Sequence, residues 1–215
     1  MEISKQLLLT AIKILESANF HYTEWTVGGG SVLSQKYNHR ASKDIDIFID
    51  DVQKITAISP RLNDVSDNAL DYTEMNNYIS LTFNEGRIDF IVSPQISNFE
   101  PEEINFFGHK VRLENPIEII AKKIFYRCDR VVARDIFDLA LVYSSSQKSE
   151  LLDFLATISD KMKIFEKCLS RMSEENFYGA NKNSSVLSGG VNFVGKDKEI
   201  CLQLLEDLHK MRGWR

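Results

Sequence analysis

Apolar positions along this chain follow two different periods, and the change from one to the other divides it. Near the N terminus Leu8, Ala11, Ile12 and Leu15 recur at helical spacing, which predicts an amphipathic helix ending near Asn19. Residues 25–27 then predict a strand, 32–37 a short helix and 45–49 a second strand. In that second strand, alternation puts Ile45, Ile47 and Ile49 on one side and Asp44, Asp46 and Phe48 on the other. The isoleucine side belongs in a core, so the carboxylates look toward solvent or a cleft. Asp50 and Asp51 predict the start of a further helix, interrupted near Pro60. Residues 77–83 and the β-rich run around Asp89, joined by Asn84-Glu85-Gly86, read as a hairpin that Pro94 ends. Residues 95–107 show no regular period and lead to a predicted edge strand at 109–113.

From Asn115 onward the period is helical. Asn115-Pro116-Ile117-Glu118 combines a cap residue, a proline in the first turn and an acid three residues after the cap, a strong helix start. Helices are predicted at 134–143, 149–158, 161–172 and 196–211, with a polar, glycine-bearing stretch at 173–195 that reads as a long loop or lid. The expected architecture is therefore α+β: a small mixed sheet with flanking helices over residues 1–114, followed by a helical bundle over 115–215.

Chemistry concentrates where the sheet pattern is densest. Gly28, Gly29 and Gly30 let backbone N–H groups come close to a ligand and allow positive φ, and Ser31 reads as the N-cap of the helix that follows. The unpaired N–H groups of such a helix start form an anion site. Asp44 and Asp46, roughly 7 Å apart at Cα for two strand rises, can converge on a hard divalent cation. Asp89 on the hairpin is the candidate third acid. Without metal, clustered carboxylates repel one another, and one of them is expected to take up a proton. Each feature has a bland counterpart, a ligand-free strand-to-helix turn or a solvated acidic strand face. Their conjunction is what points to nucleotide chemistry.

The run Gly28-Gly29-Gly30-Ser31, a helical spacer, then His39-Arg40-Ala41-Ser42-Lys43-Asp44-Ile45-Asp46 resembles the nucleotidyltransferase superfamily of DNA polymerase beta. More narrowly it resembles the AbiEii/AbiGii toxin-type nucleotidyltransferases. The match continues through Lys122, Lys123 and Arg127 into Arg134-Asp135-Ile136-Phe137-Asp138, so it spans about residues 25–142. The resemblance implies a metal-dependent transfer of a nucleoside monophosphate from an NTP to an acceptor hydroxyl. It implies Asp44, Asp46 and Asp89 as ligands of Mg²⁺, two ions being expected and Mn²⁺ serving as a substitute. Gly29, Gly30 and Ser31 would cradle phosphate, and Lys123 would contact it, with Arg127 beside it. A tRNA or protein acceptor, a toxin–antitoxin or phage-defence setting and a cognate antitoxin are further implications. An aminoglycoside-like small-molecule acceptor and a catalytically silent binding module of the same fold are the alternatives.

Several of these residues carry two readings. Arg40 could bind phosphate or acceptor, or brace Asp44 or Asp46, with Ser42 supporting the same turn. Lys123 and Arg127 share a helix face four residues apart, which suits a triphosphate or a solvated basic stripe. Asp135 and Asp138 could orient Lys123 or Arg134 through an ion pair. Tyr126, Phe137 and Phe177 could stack a base, but aromatics at helical spacing are usually core.

Charge and cysteine usage narrow the setting. A formal net charge of −5 gives no global attraction to nucleic acid or an anionic membrane. Residues 110–134 reverse this locally, with Lys110, Arg112, Lys122, Lys123, Arg127, Arg130 and Arg134 against Glu114, Glu118 and Asp129, and could meet an RNA acceptor. Cys128, Cys168 and Cys201 are odd in number and widely spaced, which favours a reducing cytoplasm over a disulfide framework or zinc site. The apolar run Leu7-Leu8-Leu9 is too short to span a bilayer, so no membrane partner is expected.

Overall fold

The computed structural model describes residues 4–172 and 185–211. The chain divides into two compact units, one of Met1–Lys36 with Ser42–Asn115, the other of Tyr37–Ala41 with Pro116–Arg215. The short segment 37–41 thus belongs with the helices that follow the sheet, although it lies between two sheet-unit elements in sequence.

The first unit is built on one mixed sheet. Its strands are β1 (Trp25–Gly28), β2 (Ile45–Ile49), β3 (Asp71–Met75), β4 (Tyr78–Phe83), β5 (Gly86–Val92), β6 (Glu102–Phe106) and β7 (His109–Leu113), in the order β3-β4-β5-β2-β1-β7-β6. β1 runs antiparallel to β2 and parallel to β7, and β2 runs parallel to β5. Ile45, Ile47 and Ile49 are all at most 1% exposed, whereas Asp46 and Phe48 between them are half-buried, so the alternation in β2 separates core from site. Helix α1 (Lys5–Ser17) buries Leu7, Leu8, Ala11, Ile12 and Leu15 and contacts β5. Ser4 caps it by accepting from the Leu7 N–H.

Four expectations change here. No helix follows Asp50 and Asp51; the chain makes a 3-10 turn at Ile55–Ile58 and then a loop held by Asn63. The Asn63 side chain donates to the Ile14 and Ala57 carbonyls and accepts from the Val65 and Ser66 N–H groups, local bonds that compete with a helix. β3, not anticipated, pairs with β4, and its mostly exposed residues carry no apolar period. β6 forms within a stretch expected to be irregular, so β7 lies inside the sheet and β6 takes the edge. Helix α2 (Gly29–Tyr37) starts at Gly29 itself, so Ser31 sits inside its first turn and is not its cap.

The second unit holds α3 (Pro116–Arg127), α4 (Ala133–Tyr143), α5 (Lys148–Thr157), α6 (Ser159–Arg171) and α7 (Asp197–Lys210). α4 is its centre: every residue in it except Arg134 is buried, and it packs on α7 through Cys201, Leu204, Leu205 and Leu208. Among the described residues Cys128, Cys168 and Cys201 are free thiols. Burial, with the charge of Asp197 added, pushes the Cys201 thiol far above its ordinary pKa. The stretch read as a loop or lid is described from residue 185, where it forms a 3-10 turn, Ser188–Phe193; residues 173–184, with Phe177 and Asn181 to Ser184, lie outside the described residues. No described helix is long and apolar enough to cross a membrane.

Candidate active site

The glycine run is required by what lies beneath it. Gly28 ends β1 opposite Asp46 of β2, and Gly29 turns the chain into α2 with φ +68. A Cβ on Gly29 would stand 1.7 Å from Asp46 Oδ2, and one on Gly28 would stand 2.2 Å from Glu114 Oε2 and 2.6 Å from Phe48 Cε2. Both the backbone angle and the space therefore demand glycine at position 29. Ser31 donates its hydroxyl back to the Gly28 carbonyl at 3.3 Å, closing the turn. Gly29, Gly30 and Ser31 are all buried.

The parallel pairing of β2 with β5 sets Asp46 directly beside Asp89. Register partners on neighbouring strands point to the same face, about 5 Å apart. Asp89 is 6% exposed, and its Oδ1 accepts from Ser80 Oγ at 2.6 Å and the Tyr78 hydroxyl at 2.9 Å. Asp44 lies just before β2, outside the strand, so strand parity does not place it. Its position comes from Arg87: Nη2 of Arg87 is 3.2 Å from Asp44 Oδ2, and Nε is 3.2 Å from Asp89 Oδ1. Positive charge among these carboxylates is thus supplied by a guanidinium. Burial works to lower the pKa of Arg87, but the charges of Asp89, Asp44, Tyr78 and Asp46 raise it on balance. Burial raises the Tyr78 phenol, a bond with Ser80 opposes this, and the charge and bond of Asp89 add to the rise.

Arg87, Ser80, Tyr78 and Glu114 were not among the candidates read from the sequence. For three of them a signal existed: positions 78 and 80 share a face of β4, 87 and 89 share a face of β5, and the hairpin pairs Ser80 with Asp89. Glu114 follows β7, is 5% exposed and accepts from Thr26 Oγ1 at 3.0 Å. Its signal was only an acid at the end of a strand of alternating charged and apolar residues.

Oxygen donors of this kind suit Mg²⁺. Among the described residues no three His, Cys, Asp or Glu side chains are grouped closely enough to hold a metal ion. Asp46 and Asp89 are adjacent in register, and Asp44 and Asp89 converge on Arg87. The set fits a hard cation in donor chemistry, and a guanidinium lies against two of its carboxylates.

In the helical unit a second cluster forms around Asp138, which is 0% exposed. Arg40 grips it on two edges, Nε to Oδ1 and Nη2 to Oδ2, both at 2.8 Å. His39 Nε2 bonds Oδ1 at 2.8 Å, and Lys123 Nζ lies 3.2 Å from Oδ2 while also bonding Asp135. His39 stacks on Phe137 with centroids 5.7 Å apart and keeps Nδ1 buried without a hydrogen-bond partner, while Nε2 carries the proton that it donates to Asp138. Burial raises the Asp138 pKa, but Lys123 and Arg40, with the bonds from Arg40 and His39, hold this carboxyl well below the usual carboxylate range. Burial likewise opposes the charge on Lys123, and Asp138 and Asp135 outweigh it and raise its pKa.

Of the candidates on the helices, Lys123 is engaged with Asp135 and Asp138, whereas Arg127 and Arg134 are exposed. Tyr126 is exposed and Phe137 is core. Arg40 carries Asp138, and the partner of Asp44 is Arg87. Ser42 is half-buried in the sheet unit. Segment 37–41 is further tied to 185–190: Ala41 N–H donates to Ser185 O, Leu187 N–H to His39 O and Gly189 N–H to Asn38 O. Cβ atoms at Gly189 and Gly190 would meet the Tyr37 and His39 carbonyls at 2.0 and 2.2 Å. This glycine pair therefore permits a close backbone contact.

The family described as "Nucleotidyl transferase AbiEii toxin, Type IV TA system" matches residues 13–181 of the chain. No curated protein sequence matches it. Among solved structures, the nucleotidyltransferase toxin MenT4 from Mycobacterium tuberculosis H37Rv superposes with a TM-score of 0.59 at 15% identity, covering 96% of this chain and 85% of that one. A protein from H. pylori, a nucleotidyltransferase by provisional assignment, gives 0.51 at 19% identity over 95% and 92%. The antibiotic-resistance factor ANT(2'')-Ia gives 0.51 at 14% identity over 79% and 100%. At these identities the structural likeness shows the fold: a mixed sheet with flanking helices followed by a helical segment, as in nucleotidyltransferases.

Proposed function

The chain belongs to the AbiEii family of nucleotidyl transferase toxins, and from that premise we propose that it moves a nucleoside monophosphate from an NTP to an acceptor hydroxyl in a metal-dependent reaction. The observation that carries this reading is the pairing of Asp46 with Asp89 directly beneath the Gly29 turn. Asp46 and Asp89, with Asp44 at their edge, would hold Mg²⁺. When bound, that ion supplies charge neutralisation on the entering and leaving oxygens, worth several kcal/mol. Ser80 and Tyr78 fix the orientation of Asp89 by donating to one of its oxygens, which leaves the carboxylate plane defined before substrate arrives. Backbone N–H groups at the start of α2 favour a phosphate. The acceptor oxygen attacks the α-phosphorus in line, its proton passes to a carboxylate of the cluster, Asp89 in the first instance, and pyrophosphate leaves.

Lys123 keeps the phosphate-contacting role that the resemblance implies only if it exchanges a carboxylate partner for substrate. The family's description supports a toxin–antitoxin setting with a cognate antitoxin, and an RNA or protein acceptor is the one the sequence resemblance implies. The net charge of −5 favours the alternative of a cationic small-molecule acceptor. Incubation with each labelled NTP, Mg²⁺ and total tRNA, with a protein extract and with polyhydroxylated amines in parallel, separates these acceptors. Label should appear in one of the three with wild type and vanish with Asp46→Ala. Absence of label from all three, with a thermal shift by NTP intact, would favour a silent binding module.

A further inference from the structure

We propose that Arg87 is a built-in counter-cation that sits on Asp44 and Asp89, two of the acids read as metal ligands, and must leave them when metal binds. The inference rests on the metal-binding reading of Asp44, Asp46 and Asp89 and adds to it a residue that sets how strongly the ion is held. Arg87 projects from β5 two residues before Asp89, on the same face as that acid, and joins it to Asp44 with both contacts at 3.2 Å. The two acids come from different places, one from β5 and one from the chain just before β2, and the guanidinium lies against both. Asp44 lies outside any strand and is 40% exposed at its side chain, although its neighbour Ile45 pairs with Ile88 next to Arg87.

Two features make Arg87 displaceable and not a fixed brace. Its side chain is 47% exposed, and both contacts are single-point pairs and not a bidentate fork, the geometry in which such pairs contribute least. By contrast Asp89 stays anchored by Ser80 and Tyr78 whether or not Arg87 is seated. A departing guanidinium therefore leaves one carboxylate fixed and one free to adjust, an arrangement that lets an incoming ion complete its own coordination. A seated guanidinium also repels a dication by direct charge. Arg87 accordingly weakens metal binding in the nucleotide-free protein and reserves tight binding for the state in which triphosphate offers it a new anionic partner.

Mn²⁺ binding to the full chain without nucleotide, read from the electron paramagnetic resonance of free Mn²⁺, tests this directly. Arg87→Gln should bind Mn²⁺ more tightly than wild type by about tenfold, the effect of removing one positive charge some 5 Å from a dication in water. Arg87→Lys, which keeps the charge, should stay close to wild type, and Asp46→Asn should lose the site. If wild type binds, Asp46→Asn does not and Arg87→Gln binds no tighter, the counter-cation role is overturned while the metal reading stands. If neither wild type nor Arg87→Gln binds Mn²⁺, or Asp46→Asn binds as well as wild type, the metal reading falls and takes this role with it. Equal melting temperatures of the four proteins confirm that each comparison is between folded chains.

Discussion

In the helical unit, Asp138 is 0% exposed and meets Arg40, Lys123 and His39, with Asp135 sharing the lysine; in the sheet unit, Asp44 and Asp89 share the half-exposed guanidinium of Arg87. The first group pairs two carboxylates with two cations and is enclosed. The second pairs Asp44 and Asp89 with one half-exposed cation and is open to solvent on the guanidinium side. Balance and enclosure make the Asp138 group a brace, since a buried charge network is costly to break but has no surplus to offer a ligand. Surplus negative charge at a half-buried edge is what a dication can neutralise. A residue's proximity to a family motif says less about its role than the charge it leaves unmet.

Mutations at the two acids should separate these roles most sharply. Asp46→Asn should lower nucleotide transfer about a thousandfold, the rate equivalent of several kcal/mol of lost ion binding, with a melting temperature close to wild type. Asp138→Ala should act the other way, destabilising the chain by about 3–5 kcal/mol because it removes the carboxylate that buried Arg40 grips on two edges and leaves Lys123 with Asp135 alone. For a chain of this size that is a fall of about 6–20 °C in a thermal melt. An Asp138→Ala protein that melts like wild type yet transfers nothing would break the contrast and place Asp138 against substrate.

Gly29→Ala sharpens the sheet side alone. It asks for φ +68 from a residue with a Cβ, a cost of about 1–3 kcal/mol, and it pushes that Cβ into the Asp46 carboxylate. The expected outcome is a modest loss of stability measured in denaturant with a larger loss of transfer. Loss of stability with full transfer would show that Asp46 does not need its present position.

These residues also show what the sequence could and could not disclose. The Ile45, Ile47, Ile49 alternation marked a core face, and the hairpin pattern put Asp89 on a strand, but the pairing of that strand with β2 beside Asp46 is a tertiary result that neither pattern encodes. Helices from 116 to 210 were legible because each buries an apolar stripe. β3 and β6 were not, since edge strands of this sheet bury too little to impose a period. Ser31 misled because a cap residue is common at a helix start, whereas here Gly29 takes both the turn and the first helical position. The partners of Arg40 and Asp44 depend on which long side chain reaches which acid, and that is settled by tertiary placement that no local pattern encodes. Candidates whose role is to meet a ligand, such as Arg127 and Arg134, remain exposed and unassigned by the fold alone.

The smallest effects lie in pH, and their signs follow from the two clusters. Asp138 has a folded pKa well below its unfolded value of about 3.9, so its stabilisation is fully present above that value and is lost as pH falls through the folded one. Lys123 and the Tyr78 phenol have raised folded pKa values, so their contributions are fully present below about 10 and are lost as pH rises through the folded values. Between about pH 5 and 9 none of the three changes charge, and the melting temperature should be insensitive to them. Outside that window the clusters part company. Tyr78→Phe, which removes one donor to Asp89 for about 1 kcal/mol, should flatten the alkaline limb and leave the acid limb intact. If Tyr78→Phe flattened the acid limb instead, acid stability would not be governed by Asp138 alone, and the contrast between the two clusters would fail, because the only change made lies in the sheet unit.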